Sequence, residues 1–243
     1  MKILVGITNW GVYHDGYLER LFAEYRGMGL CLQLVVFCAF WKGLGSDVIC
    51  EVRPMGGDTL ALTWAHRAYF AEHVNDYDVF VYSEDDILIT ERNLKAWIRA
   101  NEILGDGDKV PGFFVKEEAP GAFPNYCQAH ASFGWEEVET HGEEKFAYFS
   151  NVHSACSVLS RKQLQLAIQS GNYLGDPRGS GPYAERELAC SGPFYECGLR
   201  KLIPISRFKD FIVIHIPASY IGVLGTPEAQ IRRQIESMGG QWR

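Results

Sequence analysis

The sequence predicts an α/β fold built on a mostly parallel central sheet. Three observations carry that prediction: short apolar runs of strand length, segments with helical apolar spacing between them, and a strand–helix–strand order at the start of the chain. With 243 residues and 47% hydrophobic content, the chain can bury a substantial core. It shows no internal repeat, low-complexity segment or linker, so it reads as a single domain, 1–243.

Lys2–Ile7 is the first strand, followed by Thr8, Asn9 and Trp10 at its carboxyl end. Tyr17–Tyr25 is a helix with Leu18, Leu21 and Phe22 on one face, closed by Gly27 and Gly29. Leu32–Phe40 is a second buried strand, and Asp47–Val52 a third. The G-x-G-x-x-G fingerprint of dinucleotide folds is absent after the first strand, which argues against a nicotinamide dehydrogenase. Asp58 is placed to cap a helix over Thr59–His73, whose stripe Leu60, Trp64 and Ala71 also contains Arg67. A guanidinium turned coreward needs an anion, and Glu84, Asp85 or a bound phosphate are the candidates; the alternative is an arginine snorkelling to the surface.

Tyr77–Thr90 is the stretch that organises the chain. Tyr77–Tyr82 is nearly all β-branched or aromatic and reads as a strand buried on both faces. It runs into three consecutive carboxylates, Glu84, Asp85 and Asp86, at the end where open α/β sheets bind their ligands. Crowded negative charge at a core rim calls for a compensating cation. This points to a divalent-metal site holding a phosphorylated ligand, with a solvated acidic turn as the alternative.

Arg92–Leu104 is the next helix and Val110–Lys116 a strand. Pro120–Glu144 reads as a long irregular stretch, rich in glycine and in the aromatics Phe123, Tyr126, Phe133 and Trp135. Phe146–Ser150 and Cys156–Leu159 are short strands, and Ser160 caps a helix over Arg161–Gln169. Gly171–Pro182 is glycine- and proline-rich, and Tyr183–Cys190 carries Glu185, Arg186 and Glu187. Leu202–Ile205 and Phe211–Ile216 are apolar runs, the second containing His215; Thr226-Pro227 starts a last helix reaching about Met238.

The net charge of −7 excludes a basic nucleic-acid-binding surface, though not a nucleotide whose phosphates are met by a metal. No apolar run is long enough to span a bilayer, and the N-terminus lacks a signal-peptide pattern. The seven cysteines are odd in number and scattered without a CxxC pair, which fits free thiols in a reducing compartment. An intracellular, cytoplasmic location follows as the expectation.

Taken together, a helix bearing Arg67, an apolar strand ending in an acidic D-x-D-like triplet, and the late histidine of VIHIP resemble the GT-A glycosyltransferases. The segments NVHSACSVLSRKQL and YAERELACSGPFYECG, and the compact size, are similar to glycosyltransferase domains of large algal viruses. The resemblance implies a GT-A-like domain with a Rossmann-like nucleotide-sugar half (1–116) and an acceptor half (117–243). It implies Mn²⁺ or Mg²⁺ at Asp86 and His215, ribose or metal contacts from Glu84 and Asp85, and base and ribose contacts from Thr8 and Asn9. The partners it implies are a nucleotide-diphosphate sugar, UDP-linked, and a glycan or other hydroxyl acceptor, and the activity is hexosyl or deoxyhexosyl transfer. The triplet is Glu-Asp-Asp rather than Asp-x-Asp, which leaves the role of Glu84 open.

Transfer with inversion needs a carboxylate to take the acceptor proton. Glu185 and Glu187 are the candidates, and on a helix two residues of separation turn them roughly 200° apart, so one of them faces the site; Glu187 is favoured. A retaining reaction needs no such base. A non-catalytic binding module of the same fold and a metal-dependent phosphohydrolase are the alternatives.

Overall fold

The computed structural model describes residues 1–54, 60–175 and 183–243. Asp58, the expected helix cap, lies outside the described residues, as does 176–182 of the glycine- and proline-rich stretch. In chain order the first strands are β1 (Lys2–Asn9), β2 (Cys31–Cys38), β3 (Val48–Val52), β4 (Val79–Glu84) and β5 (Ile87–Leu88). Next come β6 (Lys109–Pro111), β7 (Phe114–Lys116), β8 (Asn125–Tyr126), β9 (Trp135–His141) and β10 (Glu144–Phe149). The last are β11 (Cys156–Ser160), β12 (Arg200–Pro204), β13 (Ile212–His215) and β14 (Thr226–Pro227). The helices are α1 (Asp15–Gly27), α2 (Leu60–Glu72), α3 (Glu91–Ile103), α4 (Arg161–Gln169), α5 (Glu185–Tyr195) and α6 (Glu228–Ser237).

These elements form two compact units, one of Met1–Asp86 with Ala155–Leu199, the other of Ile87–Ser154 with Arg200–Arg243. The first holds a five-stranded sheet in the order β11-β4-β1-β2-β3. Its β1–β2, β1–β4 and β2–β3 pairings are parallel, and β11 joins β4 antiparallel. The mixed α/β architecture with a mostly parallel sheet is thus the one the apolar runs predict. Ile3, Leu4, Val5 and Ile7 of β1 are all buried, as a strand flanked on both sides and covered on both faces requires. Gly6 lies between them where α2 crosses: a Cβ there would come within 2.9 Å of the Phe70 ring and 3.0 Å of Phe37, so only glycine lets the helix approach.

Tertiary structure turns α2 so that His66 faces inward. Its imidazole stacks on Tyr82 of β4 at 3.9 Å between centroids, and Nδ1 lies 3.0 Å from the Thr63 carbonyl. Burial, helped by the neighbouring charge of Arg67, pushes the His66 pKa well below the ordinary imidazole value.

The second unit carries three small sheets, β6-β12-β10-β9, β5-β13-β7 and β14-β8. Within it β13 pairs parallel with β7 and antiparallel with β5, which sets His215 opposite Ile87. Aromatic rings fill its centre: Phe114 stacks on Trp135 at 5.4 Å and meets Phe149 and Phe208 edge-on, at 4.9 and 5.4 Å. The stretch expected to be irregular, Pro120–Glu144, contributes β8 and β9 instead. Strand β9 escapes a pattern search because its sequence, WEEVETH, has no buried residue and pairs on one side only, with β10. Its structure comes from its neighbour, through a turn at Gly142 whose φ of +60° suits glycine. The last helix also starts differently. Thr226-Pro227 forms a short strand against Asn125–Tyr126, and the Thr226 hydroxyl donates to the Ala129 carbonyl rather than capping α6.

All seven cysteines are free. No helix among the described residues is long and apolar enough to cross a membrane.

The buried His66 makes stability sensitive to acid. The unfolded chain binds a proton near pH 6.5 while the folded chain resists it, so this stability is complete above that value and is lost as pH falls. Between pH 7 and 5, urea unfolding should show about 2 kcal/mol more loss in the wild type than in His66→Gln. Parallel losses would show that His66 is not the titrating group.

Candidate metal and nucleotide site

The parallel register of β1 and β4 sets Thr8 opposite Glu84. Both strands run the same way, so their next residues, Asn9 and Asp85, emerge side by side at the carboxyl edge of the sheet. The Asn9 side chain, fully buried, donates from Nδ2 to Asp85 Oδ2 at 2.7 Å. Asp85 and Asp86 occupy the turn that follows β4, and both are buried. His14 closes the group from the residue just before α1, where its carbonyl accepts the N–H groups of Tyr17 and Leu18. Its Nδ1 lies 2.7 Å from Asp85 Oδ1 and 3.9 Å from Asp86 Oδ2.

One ligand atom each from His14, Asp85 and Asp86 lie within 4.8 Å of one another, the spacing a single cation can bridge. Burial pushes the Asp85 carboxyl up from its usual range and the charge of Asp86 adds to this, while His14 and the Asn9 amide pull it down. Two neighbouring buried carboxylates facing one imidazole form a donor set suited to Mn²⁺ or Mg²⁺. One further observation fits such an ion: Asn9 Oδ1 is buried and, among the described residues, has no hydrogen-bond partner. An orphaned acceptor beside the carboxylates is costly unless a donor or a cation meets it.

The loop that delivers His14 is held by Lys42. This buried lysine donates to the Gly11 carbonyl at 2.6 Å and pairs with Asp15, the first residue of α1. Gly11 itself turns at a φ of +70°. On either side of this anchor Trp10, Tyr13, Phe40 and Trp41 are exposed.

The remaining predicted residues are placed as follows. Thr8 Oγ1 is buried beside the Tyr82 phenol, and Glu84 is half-buried with its N–H on the Ala155 carbonyl at 3.0 Å. Arg67 does point coreward, but its partners differ from those expected. It donates to the carbonyls of Tyr173 and Leu188 at 3.0 and 2.5 Å, lies 3.8 Å from Glu196, and stacks on Trp64. Gly192 makes the space, since a Cβ there would fall 1.9 Å from Arg67 Nη2. Leu188 of α5, Glu196 just after it and the Tyr173 carbonyl thus take the place of the anion expected from Glu84, Asp85 or a bound phosphate.

Glu185 and Glu187 open α5, both half-buried; Glu187 Oε2 accepts the Ala184 N–H at 2.7 Å in a capping arrangement. His215, in the second unit, has Nδ1 2.5 Å from Glu117 Oε1. Two participants escaped the sequence reading, His14 and Glu117. The signal for His14 is its place in the loop after the first strand. Choosing it among seven histidines requires knowing that β1 and β4 are neighbours.

No protein-family model matches the chain, and no curated protein matches it significantly. Solved structures do match. Residues 1–349 of Staphylococcus aureus TarS align over 84% of this chain with 10% identity and a TM-score of 0.50; the chain spans 58% of that structure's length. CMP:2-keto-3-deoxy-manno-octonic acid synthetase, complexed with CTP, aligns over 98% of this chain and 99% of its own, with 13% identity and a TM-score of 0.51. A glycosyltransferase involved in glycosylation of the major capsid of PBCV-1 aligns over 97% of this chain and all of its own, at 13% identity; its TM-score of 0.43 is too low to add to the fold assignment. The fold is GT-A-like, as the resemblance in the sequence implied.

A thermal-shift titration with Mn²⁺ tests the cluster directly. At a metal concentration near 100 times Kd, the wild type should gain about 2.7 kcal/mol. His14→Ala, which removes one of three ligands, should gain less than about 1 kcal/mol at that concentration. Equal gains in both proteins would remove His14 from the site.

Proposed function

We propose that the chain is a metal-dependent glycosyltransferase that moves a sugar from a nucleotide-diphosphate sugar, with UDP as the nucleotide, to a hydroxyl of a glycan acceptor. The observation that carries this reading is the cluster of His14, Asp85 and Asp86 at the carboxyl edge of a parallel sheet, where such folds bind ligands. The comparisons support it through the fold. A bound divalent ion supplies Lewis acidity toward a diphosphate leaving group. Asp85, Asp86 and His14 would hold it, and the Asn9 amide that donates to Asp85 carries a further buried acceptor, Oδ1.

In this reading Thr8, Asn9 and Glu84 contact the base and ribose, because they line the ends of two adjacent strands. His215 belongs to the second unit, where its imidazole is anchored through Nδ1 to Glu117. For transfer with inversion, Glu187 is proposed to accept the acceptor proton, with Glu185 as the other candidate. Both carboxylates sit in the first turn of α5. Arg67 has no proposed contact with the donor, since its guanidinium is engaged by Tyr173, Leu188 and Glu196.

A second reading rests on a neighbour aligned nearly end to end at a TM-score of 0.51, a synthetase complexed with CTP. Here the same cluster would serve nucleotidyl transfer from a nucleoside triphosphate to a sugar acid.

Calorimetric titration with UDP should show binding that depends on Mn²⁺, and Asp86→Ala should abolish that dependence. Mn²⁺-independent binding in the wild type would count against the metal site. With UDP-glucose as the probe donor, slow acceptor-independent sugar release is expected. Glu187→Gln should keep UDP affinity and lower that turnover about 10²-fold if it is the base; full activity would exclude it. Release of pyrophosphate from CTP in the presence of a sugar acid, without hydrolysis of UDP-sugars, would favour the second reading.

A further inference from the structure

We infer that Cys38 and Cys50 form a reversible modification site: a hydroperoxide joins them in a disulfide, and the bond loosens the loop that presents His14. The inference deepens the proposed function, on which only the consequence for metal binding rests. Both thiols belong to the first unit, on the adjacent parallel strands β2 and β3. Cys50 pairs with Val36, so Cys38 lies two residues further along the same face. Their sulfurs are 3.2 Å apart. A disulfide bond is about 2.05 Å long, so about 1 Å of approach remains.

The two thiols differ in access. Cys38 is fully buried whereas Cys50 is half-buried, so an oxidant meets Cys50 first. Burial, with the hydrogen bond to Cys50, pushes the Cys38 thiol up, so it keeps its proton until its neighbour has reacted. With hydrogen peroxide the chemistry balances in two steps. The Cys50 sulfur attacks one peroxide oxygen, the O–O bond breaks, and a sulfenic acid forms with release of water. The Cys38 sulfur then displaces the sulfenic hydroxyl, which leaves with the Cys38 proton as a second water while the S–S bond forms. The sulfurs are oxidised and the peroxide reduced, and an added dithiol reverses the bond by exchange.

Lys42 links this pair to the metal cluster. Its backbone N–H donates to Cys50 Sγ at 3.4 Å. Its Nζ donates to the Gly11 carbonyl at 2.6 Å and pairs with Asp15, gripping the loop on both sides of His14. Drawing the Cys50 sulfur toward Cys38 takes it from the Lys42 N–H, and the grip shifts with it. In the other direction Cys38 stands opposite Asn9 of β1, whose amide holds Asp85.

Peptide mapping after treatment with hydrogen peroxide tests the bond. Cleavage at Arg26 and Lys42 puts Cys38 and Cys50 on separate peptides, and Cys31→Ser removes the other cysteine from the first of them. The expected product is the two peptides joined, two hydrogens lighter than their sum, and parted again by dithiothreitol. Recovery of Cys50 unmodified, or as sulfinic acid, with no joined product overturns the inference. Amide exchange in metal-free protein tests the coupling. The N–H groups of Asp15, Tyr17 and Leu18, which donate to the Val12 and His14 carbonyls, should exchange at least about 5-fold faster after oxidation. In Cys50→Ser, peroxide should leave those rates as they were. Equal rates in reduced and oxidised wild type overturn the coupling. Oxidised protein should also bind Mn²⁺ at least about 5-fold more weakly and recover with dithiothreitol; equal affinities overturn the link to the metal. Reduced protein that binds no Mn²⁺ at all would sink the functional reading, while the peptide map and exchange rates would still decide the thiol pair.

Discussion

The parallel pairing of β1 with β4 is the constraint on which the candidate site depends. Because Thr8 aligns with Glu84, the side chains that follow leave the sheet together, and an amide meets a carboxylate at 2.7 Å. A shift by one residue would turn Asn9 to the opposite face and separate it from Asp85. The register is in turn enforced by packing, since both faces of β1 and β4 are covered and a slip would bring a side chain to the place of Gly6, where Phe70 and Phe37 leave no room for a Cβ. The folding free energy of the first unit and the assembly of its acidic cluster therefore come from the same alignment.

That cluster is expensive for the free protein. Asp85 and Asp86 are adjacent, buried and alike in charge, and the imidazole of His14 offsets this only in part, as the raised pKa of Asp85 shows. Stability alone would favour replacing such residues, whereas a ligand-binding site keeps them because a cation removes the repulsion on binding. Arg67 shows the contrast. It is as deeply buried, yet its guanidinium meets two carbonyls, a carboxylate and an indole within its own unit, and it ties α2 to α5. A buried charge with its partners supplied serves the fold; two adjacent buried carboxylates facing one imidazole make the donor set of a candidate metal site.

The second unit repeats this on a smaller scale. Its aromatic core, from Phe114 to Phe208, is built by ring packing. Glu117, fully buried beside that core, is the exception, and its two hydrogen bonds converge on the imidazole of His215 and the backbone that carries the Tyr220 ring. Side chains that a packing argument does not require are where both units concentrate their chemistry.

The sequence by itself determined the α/β class, the buried strands β1, β2 and β4, and the place of the carboxylates Asp85 and Asp86 just after β4, because apolar runs and clustered carboxylates are local patterns. It located α2 and the inward turn of Arg67 from helical spacing. It did not reveal β9, a charged edge strand whose order comes from pairing with β10, nor the partners of Arg67, Tyr173 in the turn after α4 and Leu188 of α5, each more than 100 residues away. Only the tertiary structure selected His14, by making the first and fourth strands neighbours, and only it joined Glu117 to His215 across 98 residues of chain. The physical reason is common to all four. Periodicity reports which face of a segment is apolar, while the identity of the group that meets a given polar atom depends on strand order and helix packing, which no local stretch encodes.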